Sequence, residues 1–165
     1  MAVAVVDQRL QFVAYRELKA AVKRHHAISG SLVLLDTRSG EILAMVNQPS
    51  FNPNGDRSNR AGRLRNRALT DLFEPGSTMK IFSAAAALES GETPGTIFYC
   101  ENGAYRIGKN VVHDHKRHGW LSLQQIVKYS SNIGAVKIGE KVGAKNRYKT
   151  LRQFGSGREK GIESR

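Results

Sequence analysis

Apolar and polar positions near the start of the chain repeat with the period of an amphipathic helix. From residue 7 onward the apolar side chains recur at i, i+3 and i+4, and Asp7 precedes them in the N-cap position. The apolar positions are Leu10, Val13, Ala14, Leu18, Ala21 and Val22. The intervening positions are mostly Arg, Lys and Glu. This pattern predicts a helix with one buried and one solvated face.

Two short apolar runs follow, SLVLLD at 31–36 and EILAMV at 41–46. The four residues TRSG join them, and the last of these is a glycine, which is typical of a β-hairpin connection. These are the only strands that the pattern predicts. A two-stranded hairpin is marginally stable by itself, so it needs other elements packed against it.

The rest of the chain reads as a polar loop followed by helices. Residues 47–67 contain two prolines and two glycines, which predicts a long loop. Helices are predicted at about 77–90, at 123–130 with Ser122 and Gln125 as a capping box, at 133–142 ended by Gly143, and at 145–153 ended by Gly155.

Composition and charge favour one globular domain over residues 1–165. The chain is 40% apolar, and its 26 Lys and Arg against 14 Asp and Glu give a net charge of +12. Such a charge would suit an anionic partner. However, the basic residues form no single stripe with interleaved aromatics; one group lies in the polar loop, at Arg57, Arg60, Arg63, Arg65 and Arg67. We therefore expect a solvated basic surface and no nucleic-acid partner.

The single cysteine and the short apolar runs bear on disulfide bonding and on membrane spanning. One cysteine, Cys100, excludes an internal disulfide, and we expect it to be half-buried. The longest apolar runs, such as 84–88, are far shorter than the roughly 18 residues that span a bilayer. The sequence therefore predicts no membrane segment in this chain.

A serine and a lysine stand three residues apart at the start of the helix predicted at 77–90. If Ser77 opens this helix, Lys80 lies one turn further on the same face, where its amine can reach the serine hydroxyl. The helix N-terminus also favours negative charge developing on an attacked carbonyl. This is the arrangement of an activated nucleophile, although a chain of this composition contains about one Ser-x-x-Lys by chance.

A second motif, YSSNIG at 129–134, places Ser130 and Asn132 in the short break between two predicted helices. There the Ser130 hydroxyl could relay a proton, and the Asn132 amide could hold a substrate amide. Ser-x-Asn is also unspecific by itself. The two motifs together indicate a catalytic serine more strongly than either motif does alone.

With both motifs in place, the sequence resembles the penicillin-reactive serine acyltransferases, whose motifs are Ser-x-x-Lys, Ser-x-Asn and Lys-Thr/Ser-Gly. The stretches GSLVLLDTRSGEILAMVNQPSFNPN, RNRALTDLFEPGSTMK and LQQIVKYSSNIG are similar to the transpeptidase domain of class B penicillin-binding proteins, especially the cell-division type. The resemblance covers about residues 5–162. It implies an α+β, β-lactamase-like fold, of which this chain holds the first β-hairpin and the helical subdomain.

The resemblance also implies a role for each motif residue. Ser77 would attack the D-Ala-D-Ala carbonyl of a peptidoglycan stem peptide, and Lys80 would accept its proton. Ser130 would pass a proton to the leaving amine, and Asn132 would bind the acyl-amide carbonyl. The implied partners are stem peptides, β-lactams and division or cell-wall synthesis proteins. The implied location is the bacterial cell envelope, in the periplasm or on the outer face of the cytoplasmic membrane. No metal or organic cofactor is implied.

The sequence departs from the family pattern in two respects. The 165 residues contain no Lys-Thr-Gly or Lys-Ser-Gly. They also lack the membrane anchor and the N-terminal region typical of the family. We therefore expect a partial transpeptidase domain with missing sheet strands. The isolated chain should be inactive or very weak, and the 77–90 helix should lack its main packing partners.

Three alternatives remain open at the level of sequence. The segment HDHKRH, which contains His113, His115 and His118, suggests a zinc site. A polar turn is the simpler interpretation of this segment, and Asp114 would then be an ordinary turn residue. A non-catalytic interaction module would keep the helices without the chemistry. A β-lactamase-like acyl hydrolase would share the serine and add a deacylating base.

Overall fold

The computed structural model describes residues 6–51 and 65–157, which fall into two compact units. One unit comprises the described residues up to Phe73, and the second begins at Glu74. Arg57, Arg60 and Arg63 of the basic loop lie outside the described residues. That residues 1–165 form one partial domain stays a prediction.

The first unit begins with the predicted amphipathic helix, α1 (Gln8–Arg24). The Asp7 carboxylate accepts hydrogen bonds from the backbone N–H groups of Arg9 and Leu10, at 2.8 and 3.0 Å. These bonds satisfy two of the N–H groups that a helix start leaves unpaired. The predicted helix and its cap are both confirmed.

The predicted hairpin is confirmed as strands β1 (Gly30–Leu35) and β2 (Ile42–Gln48), which pair antiparallel. Side chains of β2 alternate between buried and half-buried, and a small core forms from Ala14, Ala44 and Val46 against α1. A short helix, α2 (Arg67–Thr70), completes the described part of this unit. The β1 strand keeps apolar side chains exposed, including Val33 and Leu35.

The second unit consists of three helices and four short strands within the described residues. A 3₁₀ turn, Gly76–Thr78, leads into α3 (Met79–Glu89), and two further helices come later, α4 (Leu123–Tyr129) and α5 (Asn132–Gln153). Between them lie β3 (Ile97–Tyr99), β4 (Ala104–Ile107), β5 (Asn110–His113) and β6 (Trp120–Ser122). Strand β3 pairs antiparallel with β6, and β4 with β5. The mixture of helices and strands confirms the α+β class.

These four strands correct the expectation that the hairpin supplies the only strands. Strands β3 and β6 have three residues each, too few to show an alternating pattern, and their partners lie more than twenty positions apart in sequence. Strands β4 and β5 are joined by Gly108 and Lys109, with Gly108 at a φ of 57°. Glycine supports such a left-handed turn, but no flanking run of apolar residues marks it.

The helices of the second unit pack around one core. Helix α3 packs against α5 and buries Ala86 and Ala87, whereas its Ile81 and Leu88 side chains stay exposed. That this helix lacks its main packing partners stays a prediction. The Ser122–Gln125 capping box of α4 is confirmed. The two helices predicted around Gly143 are the two parts of α5, which breaks at Gly143 with a φ of 78°.

Cys100 differs from the sequence expectation, because its side chain is fully buried. It follows β3 and lies in the core with Phe98 and Leu121. Burial raises the pKa of the Cys100 thiol, so the thiolate is disfavoured. Across the described residues, no helix combines the length and apolar character needed to cross a bilayer.

Candidate active site

Ser77 lies in the turn that precedes α3, two residues before the helix proper begins. Pro75 and Gly76 create this turn, and Gly76 has a φ of 54°, which favours glycine. Thr78 closes it through its hydroxyl, which donates to the Pro75 carbonyl at 2.5 Å. Ser77 is exposed, and its hydroxyl makes no hydrogen bond to any described residue. The nucleophile candidate is therefore open to solvent at the N-terminal end of α3.

Lys80 lies in the first turn of α3, and its amine joins the two sequence motifs. The Lys80 Nζ donates to the Ser130 carbonyl at 2.6 Å, to the Ser130 Oγ at 2.9 Å and to the Asn132 Oδ1 at 2.7 Å. Three of the four predicted site residues thus meet at one nitrogen. The fourth, Ser77, is not bonded to the amine, in contrast to the direct contact expected from sequence.

The environment of Lys80 shifts its proton affinity. Partial burial lowers the pKa of Lys80 below its ordinary value, and the negative charge of Asp114 opposes this effect. Desolvation disfavours the charged ammonium, whereas a nearby carboxylate favours it. The net direction is downward, so the neutral amine forms at a lower pH than for a solvated lysine.

Ser130 occupies the break between α4 and α5 in an unusual backbone conformation. Its φ of 55° and ψ of 40° are left-handed, and a non-glycine residue there costs about 1–2 kcal/mol. The residue ends α4, with its backbone N–H bonded to the Val127 carbonyl. This sharp reversal directs both its carbonyl and its hydroxyl toward Lys80.

Asn132 is the first residue of α5, and both ends of its side-chain amide are bonded. The Oδ1 accepts from Lys80, and the Nδ2 donates to the His113 carbonyl at 2.9 Å, at the end of β5. The amide plane is thereby fixed between a helix and a strand. An amide held in this way presents a defined edge to any group that approaches the amine.

Asp114 is the site residue that the sequence analysis missed. Its Oδ2 accepts from the Ser131 hydroxyl at 2.6 Å, and its Oδ1 accepts from the backbone N–H groups of Asn132 and Ile133 at 2.5 and 3.0 Å. Interpreting it as an ordinary turn aspartate was wrong, because it anchors the start of α5. A sequence separation of 17 to 19 residues leaves no local signal for these bonds.

The histidines of the segment HDHKRH do not form one cluster within the described residues. His113 contributes its carbonyl to Asn132, and the His118 ring stacks on Tyr129 with centroids 5.4 Å apart. In residues 6–51 and 65–157 no group of three or more His, Cys, Asp or Glu is arranged to hold a metal ion.

Comparison with known proteins identifies a family for most of the chain. The family described as "Penicillin binding protein transpeptidase domain" matches residues 30–165. The chain is 42% identical over 153 residues to the probable peptidoglycan D,D-transpeptidase PbpC of Pseudomonas aeruginosa, covering 92% of this chain and 27% of that protein. It is 39% identical over 158 residues to the peptidoglycan D,D-transpeptidase FtsI of Escherichia coli K12, covering 93% and 26%.

The fold also matches a solved structure. The transpeptidase domain of Burkholderia pseudomallei penicillin-binding protein 3 superposes with a TM-score of 0.78 at 34% identity, covering 92% of this chain and 42% of that one. The chain therefore spans about a quarter of the length of the two curated relatives and 42% of the solved domain.

Proposed function

Because the chain belongs to the family of penicillin-binding protein transpeptidase domains, we propose that it carries the acylation site of a peptidoglycan D,D-transpeptidase. The observation that carries this proposal is the meeting of Ser130 and Asn132 at the Lys80 amine, beside the turn that exposes Ser77. Two motifs that are weak separately form one cluster at the start of α3.

In the proposed reaction, the Ser77 Oγ attacks the carbonyl carbon between the two terminal D-alanines of a stem peptide. The Lys80 amine takes the serine proton, and the lowered pKa of Lys80 supports this role. Since Lys80 donates three hydrogen bonds here, one of them must be given up when the neutral amine offers its lone pair.

Collapse of the tetrahedral intermediate breaks the peptide C–N bond. The departing D-alanine amine receives a proton through the Ser130 hydroxyl, and an ester between Ser77 and the stem peptide remains. An amine of a neighbouring strand then attacks this ester, which forms the cross-link and returns the proton to the site. With a β-lactam, Ser77 opens the ring amide and the leaving nitrogen stays attached, so the ester persists.

The proposed setting follows from the same family. The proposed substrates are peptidoglycan stem peptides, the inhibitors are β-lactams, and the partners are proteins of cell division or wall synthesis. The proposed location is the periplasm or the outer face of the bacterial cytoplasmic membrane. The proposed chemistry uses side chains alone, without a cofactor. No nucleic-acid partner is proposed, and we assign the net charge of +12 to a solvated surface.

The test uses a polypeptide that continues residue 165 with the corresponding downstream segment of the Pseudomonas aeruginosa relative, called the extended hybrid below. We expect a fluorescent penicillin to label the extended hybrid covalently and Ser77→Ala to abolish labelling. Ser90→Ala, at the other end of α3, is the matched control and should label normally. Absence of labelling would favour a non-catalytic module, and label released within seconds by water would favour a β-lactamase-like hydrolase.

A further inference from the structure

One carboxylate holds the whole segment that carries the second motif. Asp114 receives three hydrogen bonds from consecutive residues, at Ser131, Asn132 and Ile133. Asp114 is half-buried and Ser131 is 2% exposed, so these bonds are partly shielded from water. Charge-assisted bonds of this kind are stronger than those between neutral groups.

Ordinary helix capping does not require this carboxylate. Ser131 is already the N-cap of α5, because its hydroxyl accepts from the Gly134 N–H at 2.8 Å. The same hydroxyl donates to Asp114, so the cap itself is tied to the loop after β5. Asp114 thus fixes the cap residue and the two backbone groups beyond it from a separate part of the chain.

The neighbouring residues are those that contact the Lys80 amine. Ser130 precedes the tied segment in a left-handed conformation, which the surrounding structure must hold in place. Asn132 lies within the tied segment, and its Oδ1 is 2.7 Å from the Lys80 Nζ. Any shift of the 131–133 backbone would therefore move both partners of the amine.

We propose that Asp114 is a positioning residue for acyl transfer, which holds Ser130 and Asn132 in register with Lys80 and contributes negative charge to the amine's surroundings. The inference rests on the proposed function for its catalytic consequence. Asp114 does not touch the amine directly; it acts through the 131–133 backbone and through space.

Two variants distinguish the positioning effect of Asp114 from the effect of its charge. Asp114→Ala removes all three bonds, and because a misplacement of about 1 Å can cost roughly 10²-fold in rate, we expect the acylation rate of the extended hybrid to fall by about 10²-fold. Asp114→Asn keeps one acceptor oxygen and removes the charge. We expect its rate to fall by at most about 10-fold, with the acid limb of its pH–rate profile displaced to lower pH, because loss of the carboxylate lowers the pKa of Lys80 further.

A second measurement uses the 165-residue chain without any acylation. Amide hydrogen exchange at Asn132 and Ile133 should accelerate by at least about tenfold in Asp114→Ala, since both N–H groups lose their acceptor. The matched control is His115→Ala, the exposed next residue, which should change neither exchange nor rate.

The two readouts distinguish failure of the proposal from failure of the proposed function. If the unmutated extended hybrid is not acylated, the proposed function fails, and the exchange data still test whether Asp114 holds the segment. Unchanged exchange in Asp114→Ala overturns the proposal. An acylation rate in Asp114→Ala equal to the parent, or an Asp114→Asn profile that does not move, also overturns it.

Discussion

Replacing Gly134 by alanine should loosen the junction of α4 and α5 on which the site is built. A Cβ on Gly134 would lie 2.5, 2.8 and 2.9 Å from three side-chain carbons of Ile126. Ile126 is fully buried in the core, so it has little room to move away. The contact between these two residues sets how closely the helices approach on either side of Ser130.

The magnitude follows from two opposing effects. Adding a methyl group to a packed core costs about 1–3 kcal/mol, and three contacts below 3.0 Å place this substitution at the upper end. Alanine has a helix propensity about 1 kcal/mol better than glycine, which offsets part of the cost. We expect Gly134→Ala to reduce the free energy of unfolding by about 2 kcal/mol.

The assay is urea unfolding followed by circular dichroism, with Gly139→Ala as the matched control in the same helix. The three atoms nearest to a Cβ on Gly139 all belong to the Arg147 side chain, the closest being a guanidinium nitrogen at 2.9 Å, and this flexible side chain can move. The control should therefore change the free energy of unfolding by no more than about 1 kcal/mol in either direction. Equal effects of the two substitutions, or a stabilising Gly134→Ala, would refute the packing argument.

Three further outcomes follow from the site and its elements. Lys80→Ala in the extended hybrid should remove nearly all penicillin acylation while the thermal melt stays within a few degrees of the parent. The control is Lys145→Ala, which replaces an exposed lysine on α5. Near-normal acylation in Lys80→Ala would contradict the assigned role. The 165-residue chain alone should label only weakly with fluorescent penicillin, because its sequence contains no Lys-Thr/Ser-Gly. We expect that motif to contribute one oxyanion-hole N–H, and the loss of one such donor slows acyl transfer by about 10²–10³-fold. Rapid stoichiometric labelling would show a complete site. Ser122→Ala should cost about 0.5–2 kcal/mol of stability through loss of the α4 capping box, and a change below about 0.3 kcal/mol would argue against the cap.

Local signals were sufficient for the parts of the fold that depend on neighbouring residues. Asp7, the Ser122–Gln125 pair and the Gly143 break act within one helical turn, so their spacing in the sequence predicted them. The two candidate motifs were found in the same way. The sequence predicted that the Lys80 amine would reach Ser77, and it did not predict the bonds from Lys80 to Ser130 and Asn132. The bonds to Ser130 depend on its left-handed conformation, which turns its carbonyl and hydroxyl toward the amine.

Contacts between distant residues could not be predicted from the pattern. Asp114 reaches the start of α5 only because β4 and β5 pair and bring the end of the hairpin to that point. Cys100 is fully buried because β3 pairs with β6 over the core, and neither strand is long enough to show a period. In both cases tertiary packing decides the outcome.

The position of the acyl group tests the central claim most directly. After reaction of the extended hybrid with benzylpenicillin, trypsin should release the peptide 68–80, ALTDLFEPGSTMK, which contains Ser77 together with two threonines. Fragment-ion mass spectrometry should place the penicilloyl group on Ser77 and leave both threonines unmodified. Modification of Ser130, in the peptide 129–137, or of either threonine would contradict the account.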